Sequence, residues 1–229
     1  DNHAGGITLF QIDGAEPAMY NTVANNTVLM ASNGRWCINI NSGSTSNTLF
    51  NNIFFNNHST RGSIAIDAES LAGFKSDYNV VMDRMSCDGQ SSIITLASWR
   101  SSTGQDAHSI VATPTQLFFN LAASNYHLKA GSPAINAGTS GLNGRSAPTS
   151  DLDAIGRPSG AGYDIGSYEY LAPSHIITAT AGGHGAIVPA GSVPVLDGGS
   201  RQFTIVPDDY YAVSNVVVDG VSIGSTNQH

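Results

Sequence analysis

Between residues 21 and 66 apolar and polar positions alternate in short runs, and the same pattern is written twice. Asn21–Ile40 reads NTVANNTVLMASNGRWCINI and Asn47–Ile66 reads NTLFNNIFFNNHSTRGSIAI. Asn21/Asn47, Thr22/Thr48, Asn25/Asn51, Asn26/Asn52, Arg35/Arg61, Ile38/Ile64 and Ile40/Ile66 therefore match at an offset of 26 residues. A less regular copy follows at Asp77–Val81 and Ile93–Leu96, and an incomplete one precedes at Gly5–Phe10. Alternation at every second residue is the period of a strand. Short strands that recur without hairpin turns predict a chain that coils and stacks on itself. Each copy buries its Ile38/Ile64-type residues inward, and neighbouring copies complete a core that none can build alone. The paired Asn residues at 25–26 and 51–52 are read first as structure. Asn tolerates the left-handed backbone of a tight bend, and stacked amides can hydrogen-bond from one copy to the next. Ligand contact is the other reading of the same residues.

Composition narrows the field. Only 11% of the 229 residues are charged, against roughly 25% in an ordinary soluble domain. That excludes coiled coils and long surface helices. No apolar run reaches the roughly 18 residues that a membrane span requires, and nothing reads as a signal peptide. The net charge is −8, and the nine Lys and Arg residues are scattered singly, which argues against a nucleic-acid partner because backbone binding needs converging cations. Cys37 and Cys87 permit one disulfide without requiring it, and they lack metal-ligand spacing. The start Asp1-Asn2-His3, without an initiator Met, is read as a segment of a longer protein with other domains.

The N-N-x-[IVF] strands resemble the right-handed parallel β-helix repeat of secreted polysaccharide lyases, pectinases and adhesins. Leu96–Ser109 is similar to the short helix that closes such coils. Tyr126-His127-Leu128-Lys129, Gly131-Ser132-Pro133-Ala134-Ile135-Asn136, Asp151–Pro158 and Asp164–Tyr170 resemble the C-terminal end of bacterial β-helix proteins of the choice-of-anchor Q type. Ala154 stands where that family usually has Gly. After Ala172-Pro173-Ser174 the texture changes to Gly and Pro turns between β-branched strands, which resembles the internalin-B-type repeat of bacterial surface proteins. That repeat normally continues beyond the Asp219-Gly220 hairpin, whereas this chain stops at His229, so the module is read as truncated. The resemblance implies an all-β protein: parallel β-helix coils over 1–96, a closing helix and cap over 97–171, and an incomplete β module over 172–229. It also implies an extracellular or bacterial cell-surface location and a polysaccharide or cell-wall glycan as partner.

Three chemistries recur on such scaffolds. A lyase needs a base and a means of neutralising the sugar carboxylate, for which Lys75, Arg61, Arg84 and His58 are the candidates. The alternative is that Arg35 and Arg61 are exposed stacked positions and Lys75 a loop cation. A glycoside hydrolase needs two carboxyl groups on one sugar. Asp67 and Glu69 share a face if the strand continues, about 6.6 Å apart, close to the roughly 6.5–9.5 Å of an inverting pair. Asp151, Asp153 and Asp164 offer hard oxygen ligands suited to Ca²⁺. The plainer account is that Arg157 pairs with Asp164 or Glu169 and locks the terminal loop. Trp36, beside Arg35, is the aromatic residue best placed to stack on a sugar, and Arg35, Trp36 and Arg61 are the candidate carbohydrate contacts. His108 and His127 are read as structural. The functional expectation is non-catalytic polysaccharide binding; the alternative is part of a lyase or glycoside hydrolase with its centre on the coil face.

Overall fold

Left-handed bends divide the first half of the chain into very short strands. The computed structural model describes residues 5–11, 14–197 and 199–226; Asp1-Asn2-His3 and His229 lie outside the described residues. β1 (Ile7–Leu9), β2 (Thr22–Ala24), β3 (Thr27–Met30) and β4 (Ile38–Ile40) are followed by β5 (Thr48–Phe50), β6 (Ile53–Asn56), β7 (Ile64–Ile66), β8 (Lys75–Asp77) and β9 (Val80–Val81). The bends between β2 and β3 and between β5 and β6 fall on Asn25 and Asn51, at φ 54° and 55°. Asn accepts this conformation because its short side chain can hydrogen-bond locally. The equivalent bend between β8 and β9 falls on Tyr78, at φ 56°.

Strands one repeat apart pair in parallel. The three resulting sheets run β1-β4-β7, β2-β5-β8 and β10-β9-β6-β3, where β10 is Ile110–Val111. Ile38 pairs with Ile64, Ile40 with Ile66, Thr22 with Thr48 and Thr48 with Lys75. All three sheets feed one core: Val23 and Leu49 from the second, Met30, Phe54 and Val81 from the third, Ile38 and Ile64 from the first. The chain is thus mostly β, with parallel sheets and few helices.

α1 (Leu96–Thr103) begins at Thr95, whose side chain accepts from the Ser98 amide, and ends at Gly104 in the left-handed region. It carries Trp99, fully buried, into that core, where the indole meets Phe74 edge-on. Beyond it α2 (Pro114–Leu117) and the antiparallel pair β11 (Phe118–Asn120) and β12 (Asn125–Leu128) build a second cluster on Ile53 and Val80. The segment continues through the hairpin β13 (Gly141–Leu142) and β14 (Arg145–Ser146). It is anchored on the strands by Asn51: Thr139 N–H donates to Asn51 Oδ1, Asn51 Nδ2 to the Thr139 carbonyl, and Gly166 N–H to the Asn51 carbonyl.

Contacts divide the chain into two units, Asp1–Leu171 and Ala172–His229. The second contains three antiparallel pairs: β15 (Ser174–Ala179) with β17 (Gly191–Leu196), β16 (Gly185–Val188) with β18 (Thr204–Pro207), and β19 (Val216–Val218) with β20 (Val221–Gly224). Its core is Ala179, Val193 and Phe203, with Ile187 packed against them. Cys37 and Cys87 are free thiols. Among the described residues no helix is long and apolar enough to cross a membrane.

Candidate functional site

The alternation of β8 sends Ser76 inward and Lys75 and Asp77 outward. Lys75 is exposed, and Ser76 is buried with its hydroxyl donating to Asp106. Asp106 is the anchor of the segment that follows α1. Its carboxylate accepts from Ser76 Oγ at 2.9 Å, Ser109 Oγ at 2.6 Å, Trp99 Nε1 at 2.8 Å and Asn79 Nδ2 at 3.2 Å. Burial pushes this carboxyl above the usual range, and the four hydrogen bonds oppose that shift. With Asp106 fixed, His108 is delivered onto the outer face of β8. Its Nδ1 lies 2.7 Å from Asp77 Oδ2, and its main-chain N–H donates to Asp77 Oδ1 at 2.7 Å. Asp77 Oδ1 also accepts from the Tyr78 amide. The Tyr78 and His108 rings stack with centroids 4.7 Å apart and planes 9° from parallel.

The result is a patch of Lys75, Asp77, Tyr78 and His108. The carboxylate partner, which can only accept, holds a proton on Nδ1 and turns Nε2 outward. Asn143, at the tip of the β13–β14 hairpin, donates to Thr48 Oγ1 one strand away from Lys75. Asp77 is not among the candidate residues of the sequence, and His108, read there as structural, is hydrogen-bonded to it while its other ring nitrogen faces out. The signal that leads to them is the repeat itself: in the β9–β10 pairing Ile110 lies against Val80, so His108 follows Asp77 by about one repeat.

The other sequence candidates are placed as follows. Asp67 and Glu69 do not share a strand face. β7 ends at Ile66, and Asp67 caps a 3₁₀ turn over Ala68–Leu71, with Oδ1 accepting from Ser70 and Oδ2 from Ser42. Glu69 is exposed on that turn. Trp36 is only 1% exposed and its Nε1 donates to Gln90 Oε1, so no ring face is open to a sugar. Arg35 is exposed, while Arg61 donates to the Gly34 carbonyl. Arg84 donates to the Ser59 and Asn56 carbonyls, and His58 Nδ1 accepts from the amides of Thr60 and Arg61. These groups organise loops.

Asp151, Asp153 and Asp164 do not converge as a Ca²⁺ site, and among the described residues no group of three or more His, Cys, Asp or Glu is placed to hold a metal. Asp151 accepts from the amides of Asp153, Ile155 and Glu169, and Asp153 meets His127 Nε2 at 2.6 Å. Asp164 accepts from the amides of Asn136 and Tyr170, and burial pushes its carboxyl up to about 6. Arg157 pairs with Glu169 at 2.7 Å, both side chains buried, and donates to the Gly166 carbonyl. The turn at Ala154 forms with a left-handed Ala, φ 64°. In the second unit a shallow concavity along β18, lined by Ile205, Pro207, Tyr211 and Val213 among others, contains no carboxylate, amine or imidazole. Compared with known proteins, the chain matches no family model, no curated protein and no solved structure.

Proposed function

We propose that the first unit is a right-handed parallel β-helix belonging to a secreted bacterial cell-surface protein, and that it binds polysaccharide or cell-wall glycan without turning it over. Supporting the architecture are three parallel sheets that share one core and repeat at near-constant offsets. The choice-of-anchor Q type ending and the internalin-B-type texture of the second unit support the extracellular setting. The observation that carries the function is the contrast between two sets of polar groups. Of the acids that hydrolysis or metal binding would need, Asp67, Asp151 and Asp164 are occupied by main-chain amides, Asp153 by His127, and Glu69 stands alone on a turn, whereas Lys75 and the outward edge of His108 face solvent beside a strand face. Nucleic acid is not a proposed partner, because four of the seven Arg residues donate to main-chain carbonyls and the remainder are dispersed.

Affinity electrophoresis through gels containing pectin, alginate, xylan or glycosaminoglycan tests this reading, alongside assays of unsaturated-product absorbance and reducing ends. Retardation without product is the expected result. A lyase or glycoside hydrolase is the second reading, and the Asp77–His108 pair favours it, since a carboxylate-oriented imidazole is the usual form of a positioned base. Product release that disappears in Lys75→Ala would establish the second reading in place of the first.

A further inference from the structure

We propose that Lys75, Asp77, Tyr78 and His108 form a subsite that grips one uncharged sugar residue of the bound glycan, an assignment that rests on the glycan-binding reading above. Three His–Asp contacts occur among the described residues, and they are not equivalent. His127 has both ring nitrogens occupied, by Asn125 Oδ1 and Asp153 Oδ2, each at 2.6 Å, and its ring lies on Tyr168. His175 meets Asp197 at 3.1 Å with both side chains about two-thirds exposed and no ring against it. His108 is held on three sides: ring nitrogen and main-chain N–H by one carboxylate, and ring face by Tyr78. Its side chain is nevertheless 61% exposed, and Nε2 has no partner among the described residues. It is immobilised and uncommitted, which is what a binding contact needs, because little conformational freedom remains to be lost when the ligand arrives.

The position in the fold explains why the patch is open. At the equivalent bends Asn25 and Asn51 are covered by the returning segment, through the carbonyls of Asp164 and Thr139. At the third bend Tyr78 takes up His108 instead. Aromatic ring faces are electron-rich and attract the C–H face of a sugar. The neighbouring His108 Nε2 hydrogen-bonds, and Lys75 Nζ donates to, the ring hydroxyls.

Charge selects the ligand. Lys75 is offset by Asp77 two residues away, the whole chain carries −8, and Arg61, Arg84, Arg100 and Arg157 are tied to main-chain carbonyls. A polyanion would meet no cationic surplus here. An uncharged, hydroxyl-rich chain meets no penalty.

The test compares retardation in gels containing a soluble uncharged β-glucan or an unsubstituted xylan with gels containing alginate or polygalacturonate. The proteins are the full chain and its His108→Ala, Tyr78→Ala, Tyr78→Phe and Glu69→Gln variants. Expected is retardation by an uncharged glycan that weakens about tenfold or more in His108→Ala and Tyr78→Ala, while Tyr78→Phe, which keeps the ring stack, and Glu69→Gln bind as the parent does. Titration of the unaltered protein with gluco- or xylo-oligosaccharide should shift the His108 ring resonances in NMR, a readout that does not depend on any variant folding. Uncharged-glycan binding that is indifferent to His108→Ala and Tyr78→Ala, with the His108 resonances unmoved, overturns the subsite alone. Retardation confined to alginate or polygalacturonate and abolished by salt overturns the ligand class. Retardation by no glycan overturns the glycan-binding reading on which the subsite rests.

Discussion

Asn52 stands in a one-way relay of side-chain amides that runs from half-buried Asn26 into the buried interior. Asn26 Nδ2 donates to Asn52 Oδ1, Asn52 Nδ2 to Asn79 Oδ1, and Asn79 Nδ2 to Asp106, each at 3.0–3.2 Å. The donors all point the same way, so the relay ends on a carboxylate, which needs no proton of its own to accept. Polarisation along such a chain makes its members interdependent. Asp106→Ala strands four donors, among them Trp99 Nε1, and is expected to cost more than about 3 kcal/mol in urea unfolding, at roughly 1–3 kcal/mol for each orphaned buried group. Asn51→Ala should also cost stability, by releasing Thr139, while leaving glycan binding intact. Ala154→Gly should raise stability by about 1 kcal/mol, because it relieves a left-handed Ala. For Asp164 the folded value near 6 lies above the ordinary 3.8, so the native state binds the proton more tightly. Its contribution is fully present below about pH 4 and is lost as pH rises through 6. Asp164→Asn should therefore flatten the fall in melting temperature across that window. The bend-forming and stacking roles of the Asn pairs were legible in the sequence, since they follow from the chemistry of one side chain. Asp106 was not: its role exists only because Ser76, Asn79, Trp99 and Ser109 surround it.

Strand pairing at the element scale follows the written repeat. Ile64 lies between Ile38 on one side and the bridge from Ala65 to Ser86 next to it, wholly buried. Ile64→Ala is expected to cost roughly 2–5 kcal/mol, and Ile64→Asp should abolish folding of the first unit by placing an unpaired charge in the core; circular dichroism reads both. Periodicity fails at the ends of elements. The same alternation that places Ile64 and Ile66 inward extrapolates to a face shared by Asp67 and Glu69, but Asp67 caps the next turn, and two amides claim its oxygens. An acid that follows a strand is equally a face residue and a cap by spacing alone, and only the turn's geometry chooses. Trp36 illustrates the same limit. It neighbours an exposed Arg35, yet it is covered where Gln90 arrives from 54 residues away.

Across the whole molecule, two units with separate cores predict separable responses. Both tryptophans, Trp36 and Trp99, belong to the first unit. Phe203→Ala, which removes the largest member of the second unit's core, should cost that unit about 3–5 kcal/mol while the tryptophan-fluorescence midpoint stays where it was. A shift of that midpoint would show that the two cores are coupled. The amino-acid sequence alone was enough to determine the parallel stacking, the inward Ile column and the Asn bends, because each is a local preference repeated at fixed spacing and repetition makes the local rule global. The tertiary structure alone decided which polar groups remain free. Whether a carboxylate or imidazole is available to a ligand depends on the partners that reach it from about a repeat away, as Ser76 and Asn79 reach Asp106 and Asp77 reaches His108. Those partners meet only once the chain has folded.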